Sequence, residues 1–172
     1  MKGGPIVVDT NVLLVADGRS DYSRKCAAAC ARKLQQIKAQ HTVVLDRGHE
    51  ILNEYEHKVP HTCQPGIGHY FWKWLVNTRA GDDHCAWVHL TVHAERGYVE
   101  FPDHQGLKHF DVSDRKFVAA AAAHPSRPKI VQAGDSKWWG WKDALAECGI
   151  HLDFPCEVEL KKKWDDKFGP YV

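Results

Sequence analysis

The sequence predicts an α/β fold, a three-layer α/β/α sandwich built on a mostly parallel central sheet. Short apolar, largely β-branched runs at residues 5–8 (PIVV), 42–45 (TVVL) and 129–133 (KIVQA) have the continuous hydrophobicity of strands buried on both faces. Segments with apolar residues at helical spacing separate them, and strands alternating with helices favour parallel pairing. Each run also ends at or just before an acid: Asp9, Asp46 and Asp135.

The first run is followed by a polar turn at residues 17–21 (DGRSD), where Ser20 or Asp21 can cap a helix. Tyr22, Cys26, Cys30, Leu34 and Ile37 then form one apolar stripe, with Arg24, Lys25, Arg32 and Lys33 mostly on other faces. After TVVL, residues 48–58 read as a helix with Ile51, Leu52 and Tyr55 inward and Pro60 beyond its end. Ile67, Tyr70, Phe71, Trp74, Leu75 and Thr78 mark the next helix. From 87 to 92 the pattern alternates, with Val88, Leu90 and Val92 on one side of an extended segment. Residues 95–109 show no period, being broken by Gly97, Pro102 and Gly106, so 84–110 is expected to be an inserted, functional loop region. A small-residue helix over 113–123 ends before Pro125. After KIVQA come a helix over 139–148, closed by Gly149, and a last strand at 150–154. Residues 155–172 extend the chain, and their Lys161-Lys162-Lys163 run reads as a solvated face.

At 172 residues the chain has the length of a single domain, 1–172, without repeat, low-complexity stretch or linker. Its 44% hydrophobic and 26% charged residues argue against disorder. A net charge of +1 lacks the basic excess common in nucleic-acid binders, yet carboxylates gathered in an active site lower the balance in the same way. The N-terminus leads directly into the apolar run that ends at Asp9, so no signal peptide is expected. No stretch approaches the roughly 20 apolar residues of a membrane span. A soluble, cytoplasmic protein is expected, with its six cysteines reduced and Cys26 and Cys30 packed in the core one turn apart.

In open α/β sheets a ligand sits beyond the carboxyl ends of the strands, where Asp9, Asp46 and Asp135 fall. Asp9 opens Asp9-Thr10-Asn11 and Asp135 opens Asp135-Ser136, so Thr10, Asn11 and Ser136 are small hydroxyl and amide neighbours able to fix a carboxylate. Asp114 starts the small-residue helix at the same rim. Asp111, just before it, either caps that helix or is an outer acid that orients Asp114 or a bound water. Asp46 reads as a strand end. Gathered carboxylates suit Mg²⁺ or Mn²⁺, which accept hard oxygen ligands and offset the charge that develops in phosphodiester hydrolysis.

Residues 7–14 (VVDTNVLL) resemble the opening strand and loop of PIN-domain nucleases. Glu54, in 51–55 (ILNEY), stands where that family has the glutamate of its second helix. Asp114, in 114–121 (DRKFVAAA), is similar to its third acid, and Asp135, in 130–136 (IVQAGDS), to its fourth. Order and approximate spacing of all four agree over most of the chain. The resemblance implies a metal-dependent endonuclease with Asp9, Glu54, Asp114 and Asp135 as catalytic metal ligands and Mg²⁺ or Mn²⁺ as cofactor. It implies RNA in preference to DNA as substrate, and a role as a toxin, a defence effector or an RNA-processing enzyme. An antitoxin or other protein, or a second copy of the chain, is the further partner it implies. The chain departs from the family in its long, histidine-rich 84–109 region, its C-terminal extension, and Ala133-Gly134 where the family carries Thr and a polar residue.

Glu50 and Glu56 share Glu54's helix, and Glu50 is one turn away, so periodicity alone does not separate them. Arg115, Lys116 and Lys137, beside Asp114 and Asp135, are placed to hold phosphates or are ordinary surface charges. Trp138, Trp139 and Trp141 either stack bases near the site or pack the last helix on the sheet. His57, His61, Cys63 and His69, and likewise His84, Cys85, His89 and His93, match no paired zinc spacing. A haloacid-dehalogenase-type phosphotransferase needs a second acid two residues after the first, where this chain has Asn11. A DNA-directed nuclease of a phage-defence system would share the same acids, since the phosphate is common to RNA and DNA. A PIN-like scaffold that binds RNA or a protein without cleaving would not need all four.

Overall fold

In a computed structural model the described residues are 3–59, 64–78 and 83–169, so Pro60, His61 and Cys63 lie outside them. Along the chain come β1 (Pro5–Val8), α1 (Thr10–Ala16), α2 (Arg24–Gln40), β2 (Thr42–Asp46), α3 (Glu50–Lys58) and α4 (Ile67–Thr78). They are followed by β3 (Cys85–Val88), β4 (Val92–His93), β5 (Gly97–Tyr98), α5 (Arg115–Ala123), β6 (Ile130–Val131), α6 (Lys137–Glu147), β7 (Leu152–Asp153) and α7 (Glu157–Phe168).

The central sheet is five-stranded, in the order β3-β2-β1-β6-β7, and every pairing in it is parallel. Helices flank it to make the three-layer α/β/α arrangement. Helices α1, α2 and α4 pack on one another, while α5 lies across β1, β2 and β6. Val7, Val8, Val43, Val44, Leu45, Ile130 and Val131 are wholly buried, which is why these strands show no polar alternation. In α2 the buried residues are Cys26, Cys30, Leu34 and Ile37, the expected stripe.

Several elements differ from the sequence expectation. Residues 10–16 form α1 rather than a loop. Its sequence, TNVLLVA, is apolar nearly all round and offers no stripe to detect, because it is buried against α2 and α4. Helix α2 is capped by Ser23, whose hydroxyl accepts from the Cys26 amide, and not by Ser20 or Asp21. Asp17, in the expected turn, accepts from the Gly68 and His69 amides at 2.7 and 3.2 Å and so caps α4 from a distance. Tyr70, expected inward, is 57% exposed. The extended 87–92 segment is instead the end of β3 followed by a separate antiparallel hairpin of β4 and β5, and Val92 is 82% exposed.

The C-terminal extension is an amphipathic helix that packs through Leu160 and leaves Lys161 and Lys162 on its exposed face, as expected for that run. Leu160 is buried, Glu159 accepts from the Ser23 amide and hydroxyl at 2.8 and 2.7 Å, and Lys163 pairs with Asp21 at 2.9 Å. Cys26 and Cys156 form a disulfide across 130 residues, so these two are not reduced thiols. No described helix is long and apolar enough to cross a membrane.

Residues 95–110 are built around one buried cation. Phe101, Leu107 and Phe110 are buried, and Arg115, at 7% exposure, reaches into the turn that carries them. Its guanidinium donates to the carbonyls of Phe110, Lys108 and Arg96 at 3.0–3.2 Å and lies 4.8 Å from the Phe101 ring centroid. Arg115 is therefore a structural clasp and is withdrawn from any phosphate. Arg115→Ala should destabilise the fold by about 3 kcal/mol, because the buried Phe110 carbonyl and the part-buried Lys108 and Arg96 carbonyls lose a charged donor. Arg115→Lys should recover little of that, since an ammonium lacks the planar fork. Urea unfolding of the three proteins checks this; a parent-like midpoint for Arg115→Ala would contradict the assignment.

Candidate metal centre

Strands β1 and β6 are neighbours, and their connections leave in opposite directions along the sheet, β1 towards β2 and β6 towards β7. The crevice beyond their carboxyl ends is thus the switch point at which open parallel sheets hold ligands. Asp9 follows β1 directly, and its amide donates to the Val131 carbonyl at 3.0 Å, which pins it beside the end of β6. Its carboxylate accepts from the Asn11 amide at 2.9 Å, capping α1, and the residue is 1% exposed. The Tyr55 hydroxyl donates to the Val8 carbonyl and locks the last peptide of the strand.

Asp135 is brought back towards Asp9 by Gly134, whose φ of +88° suits glycine alone. A Cβ there would also stand 3.0 Å from the Asn11 Cβ and 3.1 Å from Val15 Cγ2. The close approach of this turn to α1 leaves little room for a side chain at position 134. The Lys137 amide donates to Asp135 Oδ1 at 3.0 Å. Asp114 ends a 3₁₀ turn (Val112–Asp114) that feeds α5, whose buried Ala119, Ala120 and Ala121 let the helix press close to β1.

Asp111 makes no capping hydrogen bond, so the cap reading falls. Its carboxylate instead accepts from the Lys137 ammonium and joins Asp114 and Asp135 in a group whose ligand oxygens all lie within 4.8 Å of one another. Glu54 is drawn aside: its carboxylate pairs with Lys116 at 2.8 Å and Lys58 at 3.5 Å, and accepts from the Thr10 hydroxyl. Asp9 and Glu54 border this trio rather than belonging to it. Among the described residues, Asp9, Asp114 and Asp135 form no ion pair.

The electrostatics follow from that shortage of cations. Burial raises the Asp9 pKa well above the usual carboxylate value, and Asp114, then Glu54 and Asp135, add to the rise. Asp114 is raised by burial, then by Asp135 and Glu54. The Trp138 indole N–H faces it, short of full hydrogen-bond geometry, and offsets part of the rise. Asp135 is raised by burial, partly offset by the Lys137 amide and ammonium. These mutual effects bring together all four acids expected from the sequence, with Asp111 as a fifth.

Of the other expected residues, Asn11 acts through its backbone amide, and Ser136 is buried beside Asp135 at the start of α6. Lys116 is bound to Glu54 and is 12% exposed, so it is not a free phosphate contact. Lys137, at 44% side-chain exposure, still reaches solvent at the rim. Trp138 is wholly buried against Phe110, Trp141 packs on the same ring, and Trp139 lies against Phe154, so the tryptophans serve packing. Asp46 accepts from the Glu50 and Ile51 amides at 2.9 Å and caps α3. Among the described residues, His84, Cys85, His89 and His93 do not gather into a ligand set. Thr10, expected as a small hydroxyl able to hydrogen-bond a carboxylate, donates to Glu54, whereas Tyr55 and Lys58 were not singled out from sequence as parts of the site.

Comparison with protein-family models, curated proteins and solved structures finds no match to this chain. The site therefore rests on its own geometry.

A carboxyl group whose folded pKa is raised holds a proton that the unfolded chain has already released. Stability contributed by Asp9, Asp114 and Asp135 is thus present near pH 4 and is lost as pH rises through their folded pKa values. In EDTA, Asp9→Asn should be more stable than the parent at pH 7, and the difference should close towards pH 4. Millimolar Mg²⁺ at pH 7 should raise the parent's melting midpoint and raise that of Asp9→Asn less. Thermal unfolding across pH with and without Mg²⁺ measures both; identical pH profiles for the two proteins would refute the crowding.

Proposed function

We propose that this chain is a metal-dependent nuclease that hydrolyses phosphodiester bonds, with RNA the favoured substrate. The observation that carries the reading is the convergence of five acids from four segments of the chain at the switch point, three of them without an ion-pair partner among the described residues. Buried carboxylates held together in this way are unfavourable unless something positive sits among them. The donor set consists of carboxylate oxygens, which fits Mg²⁺ or Mn²⁺ and not a soft cation. Asp111, Asp114 and Asp135 are the residues to hold such an ion, with Asp9 bordering it and Glu54 held in reserve by Lys116. When bound, the ion supplies charge neutralisation to the phosphate and to the attacking oxygen.

The chain's own residues supply position. The Asn11 amide fixes Asp9, the Gly134 turn and the Lys137 amide fix Asp135, and Tyr55 holds the end of β1 in place. Lys137 lies at the rim, where a non-bridging phosphate oxygen can replace Asp111 as its partner. The preference for RNA, and a toxin or defence role with a partner protein, rest on the resemblance to PIN domains alone.

Labelled single- and double-stranded RNA and DNA, incubated with Mg²⁺, Mn²⁺ or EDTA, test the reading. Cleavage is expected with either ion and none with EDTA. Asp114→Asn and Asp135→Asn should each lower the single-turnover rate by about 10²-fold or more while nucleic-acid binding in Ca²⁺ survives. Lys137→Ala should weaken binding and reduce its salt slope by about one. Cleavage of DNA only would move the substrate assignment, and full activity in both Asp→Asn variants would exclude a nuclease at this site.

A further inference from the structure

A second chemical site lies away from the acids, where α7 meets α2. The Cys26–Cys156 bond joins the first turn of α2 to the start of α7. Cys30, one turn along α2, places its sulfur 3.9 Å from that of Cys156, and the three sulfurs lie within 4.8 Å of one another. A cavity of about 560 Å³ opens beside the bond, lined by both bonded cysteines. Three exposed cations, Lys25, Arg32 and Lys162, surround it, against Glu157 and Glu159, and Glu159 is already engaged by Ser23. The charged side chains of the lining sum to a net +1, three cations against two carboxylates, and the cavity is open to solvent and large enough for a ligand of tripeptide size.

We propose that Cys156 is a modification site, where an anionic low-molecular-weight thiol enters this cavity, opens the Cys26–Cys156 bond and remains on Cys156 as a mixed disulfide. The incoming thiolate forms a new S–S bond to the Cys156 sulfur. The Cys26–Cys156 bond breaks, and its electron pair leaves on the Cys26 sulfur, which takes a proton from solvent. One S–S bond is exchanged for another, so the step needs no external oxidant or reductant and leaves Cys26 as a free thiol beside the mixed disulfide. Cys30 does not compete in the first step, despite its proximity: burial pushes its thiol up to about 12, so it stays protonated at neutral pH. Of the two bonded residues Cys156 is the more exposed, at 8% against 3% for Cys26, which directs the attack. This inference does not depend on the nuclease reading.

The test uses the full chain isolated without reductant. Alkylation after denaturation, followed by peptide mapping, should label Cys30, Cys85 and Cys148 and leave Cys26 and Cys156 unlabelled. Reduced glutathione should then give a one-glutathionyl adduct that peptide mapping places on Cys156. The rate with glutathione, taken relative to the neutral thiol β-mercaptoethanol, should fall by about tenfold in an Arg32→Gln, Lys162→Gln double variant, whose changes are confined to exposed side chains. Six free thiols at the outset, an adduct only on Cys30, Cys85 or Cys148, or a rate ratio unchanged in the double variant would each overturn the proposal.

Discussion

Asp9, Asp114 and Asp135 repel one another at the carboxyl edge of β1 and β6, and much of the surrounding structure holds them there against that repulsion. The parallel pairing of β1 with β6 sets two of the acids side by side. The hydrogen bond from Asp9's amide to Val131 fixes the first, the left-handed turn at Gly134 returns the second, and the alanines of α5 allow the third to approach. Each of these devices is local and ordinary. Their sum is a pocket of negative charge whose members have pKa values raised first by burial and then by neighbouring carboxylates, which for Asp135 means Asp111, partly offset there by Lys137. At neutral pH the fold gains no stability from such an arrangement, which is the pattern expected of a functional site rather than of a structural one.

The cations nearby show how the rest of the charge is managed. Lys116 and Lys58 take Glu54, and Lys137 takes Asp111, so the outer acids are neutralised within the chain while the inner ones are not. Arg115, although adjacent to Asp114 in sequence, faces away and holds the turn that carries Phe110, on which Trp138 packs. Trp138 in turn faces Asp114. The hairpin region is thereby coupled to the acid site through packed aromatic rings.

What the sequence made legible was whatever depends on short-range pattern. The buried strands PIVV and TVVL, the stripe of α2, and the acids that close the strands could all be read from apolar runs and their ends. Helix α1 could not, because a segment buried on every side has no periodic polar face. Nor could the destinations of long side chains. Arg115 and Lys116 sit beside an expected ligand, but whether a cation meets a phosphate, a carbonyl or a glutamate is decided by loops distant in the chain. Asp111 was open between cap and site because both need an acid before a helix, and only the position of Lys137, 26 residues later, separates them. The Cys26–Cys156 bond was hidden for the same reason: Cys26 shows its buried face in the α2 stripe, while its partner is 130 residues away.

The central claim is that these carboxylates form one divalent-cation site. Anomalous diffraction at the manganese edge, from crystals of the full chain soaked in Mn²⁺, tests it most directly. The account predicts a peak bounded by the carboxylates of Asp111, Asp114 and Asp135, and its loss in crystals of Asp114→Asn. Manganese bound elsewhere, or none at this crevice while the three carboxylates remain in place, would contradict it.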